Sequence, residues 1–314
     1  MVLTRAQSLR AIGSIAAATA FPRIVVAQVA PTIAVGVAAL EAQSQVMYAQ
    51  DLGLFKKAGL NVDLQILRGG SAIAAAVSGG SLQIGASNTL SLAYALNRGI
   101  PFVMIAGGAL YDIRNPSAGI TVLKDATIQS GRDLNGKLVG GISLSGQDQL
   151  ALWSYIDKVG GDVSTVKFLE IPGSELSVAL AQGRISAASM NNPDWAIAVT
   201  DGKVRTIGGL ESIAKVFLQS AYFCTRDWLA NNQDAARRFG HATIEAGLWA
   251  KRNPERAAVI LGKYTSTKAN PVHIPFADTT NMAGFIQPVY DRAAKFNFLP
   301  HISATDYIWT GTGA

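Results

Sequence analysis

Cysteine is almost missing from this chain, with Cys224 the single one in 314 residues. One thiol makes no internal disulfide and no cysteine-based metal cluster. Its apolar setting, Ala221-Tyr222-Phe223-Cys224, is that of a buried, inert group. Histidine is nearly as rare, and His241, His273 and His301 lie far apart, without the spacing of zinc ligands. Charge is also sparse, at 15% Asp, Glu, Lys and Arg. The formal charge is +6, but Arg5, Arg10 and Arg23 fall in the first 27 residues, which hold no acid. The remainder has 24 basic against 21 acidic residues, or +3, and Lys and Arg never cluster beyond pairs. That excludes a nucleic-acid footprint. No dinucleotide fingerprint and no phosphate loop occurs. Gly141-Ile142-Ser143-Leu144-Ser145 misses the nucleophile elbow at its last position. No catalysis, metal or cofactor is therefore expected.

An uninterrupted apolar run of membrane-spanning length is lacking too. Ala11 to Ala20 is short, and Pro22-Arg23 breaks it, whereas a span needs about 20 residues. With Arg5 and Arg10 ahead of it and Val25-Val26-Ala27 behind, the segment reads as an export leader cleaved near Ala27, Ala18-Thr19-Ala20 being a second candidate. The leader has no twin arginine and no cysteine at the cleavage point, so free release into a periplasm is expected.

What the chain does have is a unit that appears twice. Leu64 to Leu67, Arg68-Gly69-Gly70-Ser71, a small-residue stretch, Gly79-Gly80 and Leu82 to Ser87 form the first copy. Phe168 to Ile171, Pro172-Gly173-Ser174, an apolar stretch, Gly183 and Ile185 to Ser189 form the second. Gly70, Ser71, Gly80 and Leu82 fall on Gly173, Ser174, Gly183 and Ile185 at a constant offset of 103 residues. Each copy reads strand, Gly-Ser turn, helix, glycine stop, strand. A βαβ unit repeated at domain-sized spacing predicts two similar lobes with a cleft between them.

The rest of the pattern is α/β with mostly parallel pairing. Strands are predicted at Thr32–Ala38, Leu60–Ile66, Ile100–Ile105, Ile120–Leu123, Leu138–Ile142 and Val216–Cys224. The expected helices include Ser44–Ala58, one from Ser87 to about Asn97, one carrying Leu150, Trp153 and Ile156, one from Asp234, and one opened by Asn253-Pro254-Glu255.

Three segments carry a family resemblance. Tyr48-Ala49-Gln50-Asp51-Leu52-Gly53-Leu54-Phe55-Lys56-Lys57-Ala58-Gly59-Leu60-Asn61-Val62, Asp133-Leu134-Asn135-Gly136-Lys137-Leu138-Val139-Gly140 and the helix from Trp228 to Phe239 are similar, in order and spacing, to substrate-binding proteins of the sulfonate, nitrate and taurine class, which includes the NMT1/THI5-like proteins. Where that class commonly has Gly-Glu-x-Asp, this chain reads Gly80-Ser81-Leu82-Gln83 and Gly183-Arg184-Ile185-Ser186. The Cys-rich motif of the pyrimidine-synthase branch is missing. The resemblance implies an α/β type II periplasmic binding fold: two βαβ lobes joined by two crossover segments, closing by a hinge on a solute that passes to the transmembrane subunits of an ABC permease. The expected division is a leader at 1–27, a first lobe at 28–118 and 225–314, and a second at 119–224, in a monomer. An enzyme of cofactor-precursor metabolism, thiamine-pyrimidine-like, on the same fold is the alternative.

Ligands of open α/β sheets sit beyond the carboxyl ends of the strands. The candidates there are Gln43, Arg68, Gly70, Ser71, Ser87, Asn88 and Tyr111 in the first lobe, and Ser145, Gln147, Ser174, Asn192 and Trp195 in the second. Several of them open helices, whose free N–H groups and positive dipole ends favour an anion. A small organic anion, a sulfonate or carboxylate, aliphatic or aromatic, is therefore expected. Each serine could instead cap its own helix, Trp195 and Tyr111 could be core, Arg68 could face solvent, and Asp194 could meet an amine of the solute or a basic neighbour.

Overall fold

The duplicated unit folds twice, in two separate sheets. The computed structural model describes residues 31–67, 69–265, 275–277 and 282–312. The expected leader, Arg68 and His273 lie outside them. The first stretch runs β1 (Thr32–Ala38), α1 (Gln45–Asp51), α2 (Leu54–Lys57), β2 (Asn61–Leu67), α3 (Gly70–Ser78), β3 (Ile84–Asn88), α4 (Thr89–Asn97), β4 (Phe102–Gly107) and β5 (Leu110–Asp112). The second runs β6 (Ala118–Leu123), β7 (Leu138–Gly141), α5 (Gln147–Lys158), β8 (Lys167–Glu170), α6 (Gly173–Ala181), β9 (Ala187–Asn191), α7 (Asp194–Thr200) and β10 (Val204–Gly208). Then come β11 (Val216–Leu218), β12 (Ser220–Thr225), α8 (Arg226–Arg252), α9 (Pro254–Thr265) and α10 (Ala283–Lys295).

The first sheet has the order β2-β1-β3-β12-β4, and the second, read from its β8 edge, β8-β7-β9-β6-β10. In each, three parallel strands meet one antiparallel strand in the fourth place, β12 in the first and β6 in the second. The two copies β2-α3-β3 and β8-α6-β9 thus occupy matching positions. Their shared residues have matching tasks. Gly80 and Gly183 take the left-handed backbone, at φ +77° and +68°, which only glycine adopts without strain. Leu82 and Ile185, each 2% exposed, pack over a glycine of the neighbouring strand. A Cβ on Gly36 of β1 would come within 2.3 Å of Leu82 Cδ1, and one on Gly140 of β7 within 2.8 Å of Ile185 Cδ1.

Two crossovers join the sheets. Just before each of them, β5 and β11 pair antiparallel as a two-stranded ribbon, with Tyr111 opposite Phe217. The expected single strand Val216–Cys224 is split at Gln219, because the chain leaves that ribbon before entering the first sheet as β12. The second sheet's part of the chain therefore ends before residue 220, not at 224. The expected helix Ser44–Ala58 is likewise two helices, since Gly53 adopts φ +70° between them. Helix α8 is broken at Asn232, where φ is −137°; a short piece opened at Arg226, where Thr225 Oγ1 accepts the Trp228 N–H at 3.1 Å, precedes the helix expected from Asp234. α2 is held to α8 by Phe55 stacked on Phe239, with ring centroids 5.4 Å apart.

Candidate functional site

The strand ends of both sheets open onto one cavity of about 340 Å³. That is near the lower end of the ~300–1,000 Å³ of small-molecule sites. Of the candidates, Gln43, Gly70, Ser87, Asn88, Gln147 and Ser174 line it. The repeat explains the pairing of walls: the Gly-Ser turns at Gly70 and Gly173 both reach it, one from each lobe.

The serines do not cap their helices. The N-cap of α3 is Gly69, that of α4 is Asn88, that of α5 is Gly146 and that of α6 is Pro172. Asn88 Oδ1 accepts the Ser91 N–H at 2.8 Å. α3 begins without an acid in its first turn, so its end keeps the positive character of an open helix start. Ser87 Oγ sits against it, 3.0 Å from where a Cβ on Gly70 would be. Gln43 Oε1 accepts the Ala38 N–H at 2.8 Å.

Five predicted residues fall outside the lining, and Arg68 lies outside the described residues. Tyr111 is fully buried in the β5–β11 ribbon, stacked on Phe217 at 5.1 Å, with its hydroxyl donating to Glu211 Oε2 at 3.1 Å. Burial and the Glu211 charge push its phenol far up. Trp195 is the second residue of α7 and turns to the back of the second sheet, where its Nε1 donates to Thr206 Oγ1 at 3.0 Å and its ring covers Gly119. Ser145 takes φ +54°, and its N–H is held by Gln149 Oε1 at 2.8 Å. Asn192 faces the first lobe through its backbone, its carbonyl accepting the Glu41 N–H at 3.2 Å. Ser71 is inside α3 and reaches across the mouth of the cleft to Glu170 Oε1, at 3.3 Å.

Sequence reasoning missed the polar floor. Asp148, Asn191 and Gln219 line the cavity and are buried. Asn191 Nδ2 donates to Asp148 Oδ1 (3.0 Å), Gln219 Nε2 to Asn191 Oδ1 (3.1 Å), and Ser117 Oγ to Gln219 Oε1 (3.2 Å). The chain of bonds runs from α5 to both crossovers. Desolvation pushes the Asp148 carboxyl up to about 6, although Asn191 and the Ile142 N–H pull the other way. Asn191 ends β9, one residue before the candidate Asn192, so its place at a strand end is itself a signal. Gln219 bore no signal, since its role depends on where the crossover passes.

The electrostatics of the two walls differ. Among the described lining residues the acids are Asp148, Glu175 and Asp194, all from the second lobe, and there is no Lys, Arg or His. Burial raises the Asp194 carboxyl as well. The described residues contain no cluster of three or more His, Cys, Asp and Glu able to hold a metal ion. Further contacts bridge the lobes. Asn88 Nδ2 donates to Ser143 Oγ at 3.3 Å, Gln147 Nε2 to Thr89 Oγ1 at 2.8 Å, and Lys295 Nζ pairs with Asp157 Oδ2 at 2.6 Å.

With this arrangement in view, the NMT1/THI5-like family profile matches residues 42–257. The chain belongs to the NMT1/THI5-like family. Solved structures share the fold at low identity. The alkanesulfonate-binding protein SsuA from Xanthomonas axonopodis pv. citri, bound to MOPS, is 16% identical with a TM-score of 0.72, over 89% of this chain and 99% of that one. The periplasmic nitrate-binding protein NrtA from Synechocystis PCC 6803 is 15% identical with a TM-score of 0.73, over 88% and 84%. The desulfurization enzyme DSZB is 14% identical with a TM-score of 0.62, over 88% and 95%. No curated protein matches the chain significantly. The expected family and the type II periplasmic binding fold are thereby established. Among the described residues, no helix is long and apolar enough to cross a membrane.

Proposed function

We propose that this protein is the solute-binding component of an ABC importer, released into the periplasm as a monomer after loss of its leader, and that it takes a small organic anion between its lobes. One observation carries the reading: a single cavity lined from both sheets by the matching turns of a duplicated unit. The acid group of the solute belongs at the first-lobe wall. There the α3 start, Ser87 and Asn88 supply donors, and Arg68 follows Leu67, itself a lining residue. Helix starts of this kind contribute about 0.3–1 kcal/mol each to an anion, up to ~2 when partly buried. Ligand contacts to both lobes favour the closed arrangement by their differential affinity for it. The bonds from Ser71 to Glu170 and from Asn88 to Ser143 are candidates for what opens.

A catalytic reading is favoured by the likeness to DSZB. Against it, the described lining offers no thiol or imidazole, and Cys224 is buried with its thiol pushed up to about 12. The test is a thermal-shift screen of aliphatic and aromatic sulfonates and carboxylates, nitrate and pyrimidines, followed by recovery of the bound compound. A solute at 100 times its dissociation constant stabilises the fold by about 2.7 kcal/mol. Recovery of unchanged anion at one equivalent, with affinity lost in Arg68→Ala, is the expected result. Stabilisation by cations alone refutes the anion reading, and turnover refutes the transport reading.

A further inference from the structure

The second-lobe wall of the cleft is crowded with negative charge and short of donors. Asp148, Glu175 and Asp194 reach it from the first turns of α5, α6 and α7. Asp148 is held by donors, Asn191 Nδ2 and the Ile142 N–H. Asp194 has none: it lines the cavity, and no described residue donates to it or pairs with it. The charged groups around it bring no relief. α6 offers Glu175, another acid. On β10 the Arg205 guanidinium is taken by the Lys124, Ala126 and Ile128 carbonyls. Glu41, whose N–H meets the Asn192 carbonyl, is a further acid on the first-lobe side. Arg68 lies outside the described residues, and the reading above gives it to the acid group of the solute. Around α5, Lys295 pairs with Asp157, Arg132 with the Val159 carbonyl, Glu211 with Tyr111 and Asp133 with the Ser130 N–H. The amide donors are committed as well. Gln147, 3% exposed, gives its Nε2 to Thr89 Oγ1 and the Leu218 carbonyl, which leaves its buried Oε1 an acceptor without a partner. An anion entering this cavity of about 340 Å³ adds one more negative charge and more acceptors. Unit charges at such separations repel well above thermal energy inside a protein. A proton on the wall removes the repulsion and adds a donor, and burial already raises the Asp194 carboxyl toward its neutral form.

We propose that this protein binds its anion together with a proton, taken from solvent chiefly by Asp194 and in part by Asp148, so that a carboxylate facing the cleft becomes a neutral carboxyl that donates into it. The proposal rests on the anion-binding reading above. One anion and one proton enter together, so the complex carries the charge of the free protein, and capture strengthens as the surroundings acidify. Calorimetry on the full mature chain tests it with propanesulfonate, benzenesulfonate, nitrate, butanoate and benzoate. All five are ionised near neutral pH, so a proton taken up goes to the protein. Titrations in bis-tris and in imidazole, which differ in ionisation enthalpy, count the protons. The probe that binds tightest should bring in at least about half a proton at about pH 6.5, and its Kd should weaken at least about threefold from about pH 6 to about pH 7. Asp194→Asn should remove more than about half of that uptake, and Asp148→Asn added to it should bring the count below about 0.2. Asp201→Asn, beyond the other end of α7, should take up protons like the unaltered protein. Anion binding without proton uptake in the unaltered protein overturns the proposal and leaves the anion reading intact. Uptake that falls by less than half in Asp194→Asn, or falls equally in Asp201→Asn, also overturns it. No binding of any of the five anions removes the anion reading and the proposal with it. The proton count and the pH dependence of Kd need only the unaltered protein, so they decide even where a variant folds poorly.

Discussion

Replacing Asp148 by asparagine should change how the stability of this protein depends on pH. The carboxyl is 4% exposed and is raised from the ordinary value near 4 to about 6. In the unfolded chain it loses its proton near pH 4; in the folded protein it keeps it to about pH 6. Between those values the unfolded state binds fewer protons, so stability falls as pH rises. The contribution is fully present below about pH 4 and lost above about pH 6, a span worth about 3 kcal/mol at 1.36 kcal/mol per pH unit. Asparagine cannot ionise and lacks this loss. Its single carbonyl replaces two carboxylate oxygens that accept from Asn191 and the Ile142 N–H, which costs about 1–2 kcal/mol at every pH. Asp148→Asn should therefore be less stable than the unaltered protein near pH 4 and more stable near pH 7.5. The assay is thermal unfolding by circular dichroism from pH 4 to 8 without added solute. The difference in Tm should change by roughly 5 °C or more across that range. Parallel curves would show that the carboxyl is not displaced in the folded state, and the account of the buried floor would be wrong.

Other substitutions probe the fold and the corrected site. Gly85→Ala puts a Cβ within 2.6 Å of Ile73 Cγ2 and 2.8 Å of Phe223 Cζ; a loss of about 1–3 kcal/mol is expected in denaturant unfolding. Trp195→Ala should cost about 2 kcal/mol, less than a fully buried tryptophan, and leave solute affinity within about twofold, because its ring covers Gly119 behind the sheet. A tenfold loss of affinity would put the ring back in the site. Asp157→Asn removes an ion pair whose side chains are 53% and 39% exposed. Such pairs contribute about 0–1 kcal/mol, so Tm should move by no more than about 2 °C, with no added sensitivity to salt.

The two-lobed plan was legible because its signals are local and repeated. Gly80, Leu82, Gly183 and Ile185 mark the same turn in both lobes, and the backbone there needs glycine whatever surrounds it. Capping was harder to read. Ser71, Ser87, Ser145 and Ser174 stand where a cap is expected, but a neighbouring glycine, asparagine or proline takes the position, and the hydroxyls of Ser71 and Ser87 turn to the other lobe or to the α3 start. Tyr111 and Trp195 are aromatic residues near strand ends, and the sequence has no way to tell a cleft from the β5–β11 ribbon or a covered sheet face. The Asp148-Asn191-Gln219-Ser117 chain of bonds escaped for a related reason: its members come from α5, β9 and both crossovers, and only the tertiary arrangement brings them together.

The late return of β12 to the first sheet sets an order of assembly. The second sheet is complete within residues 118–208, whereas β12, which joins β3 to β4, is supplied by residues 220–225. A chain emerging amino end first can close its second lobe while the first still lacks the strand between β3 and β4. The lobe that begins the polypeptide is thus the last to be finished, and until then its early strands remain an open-edged, incomplete sheet.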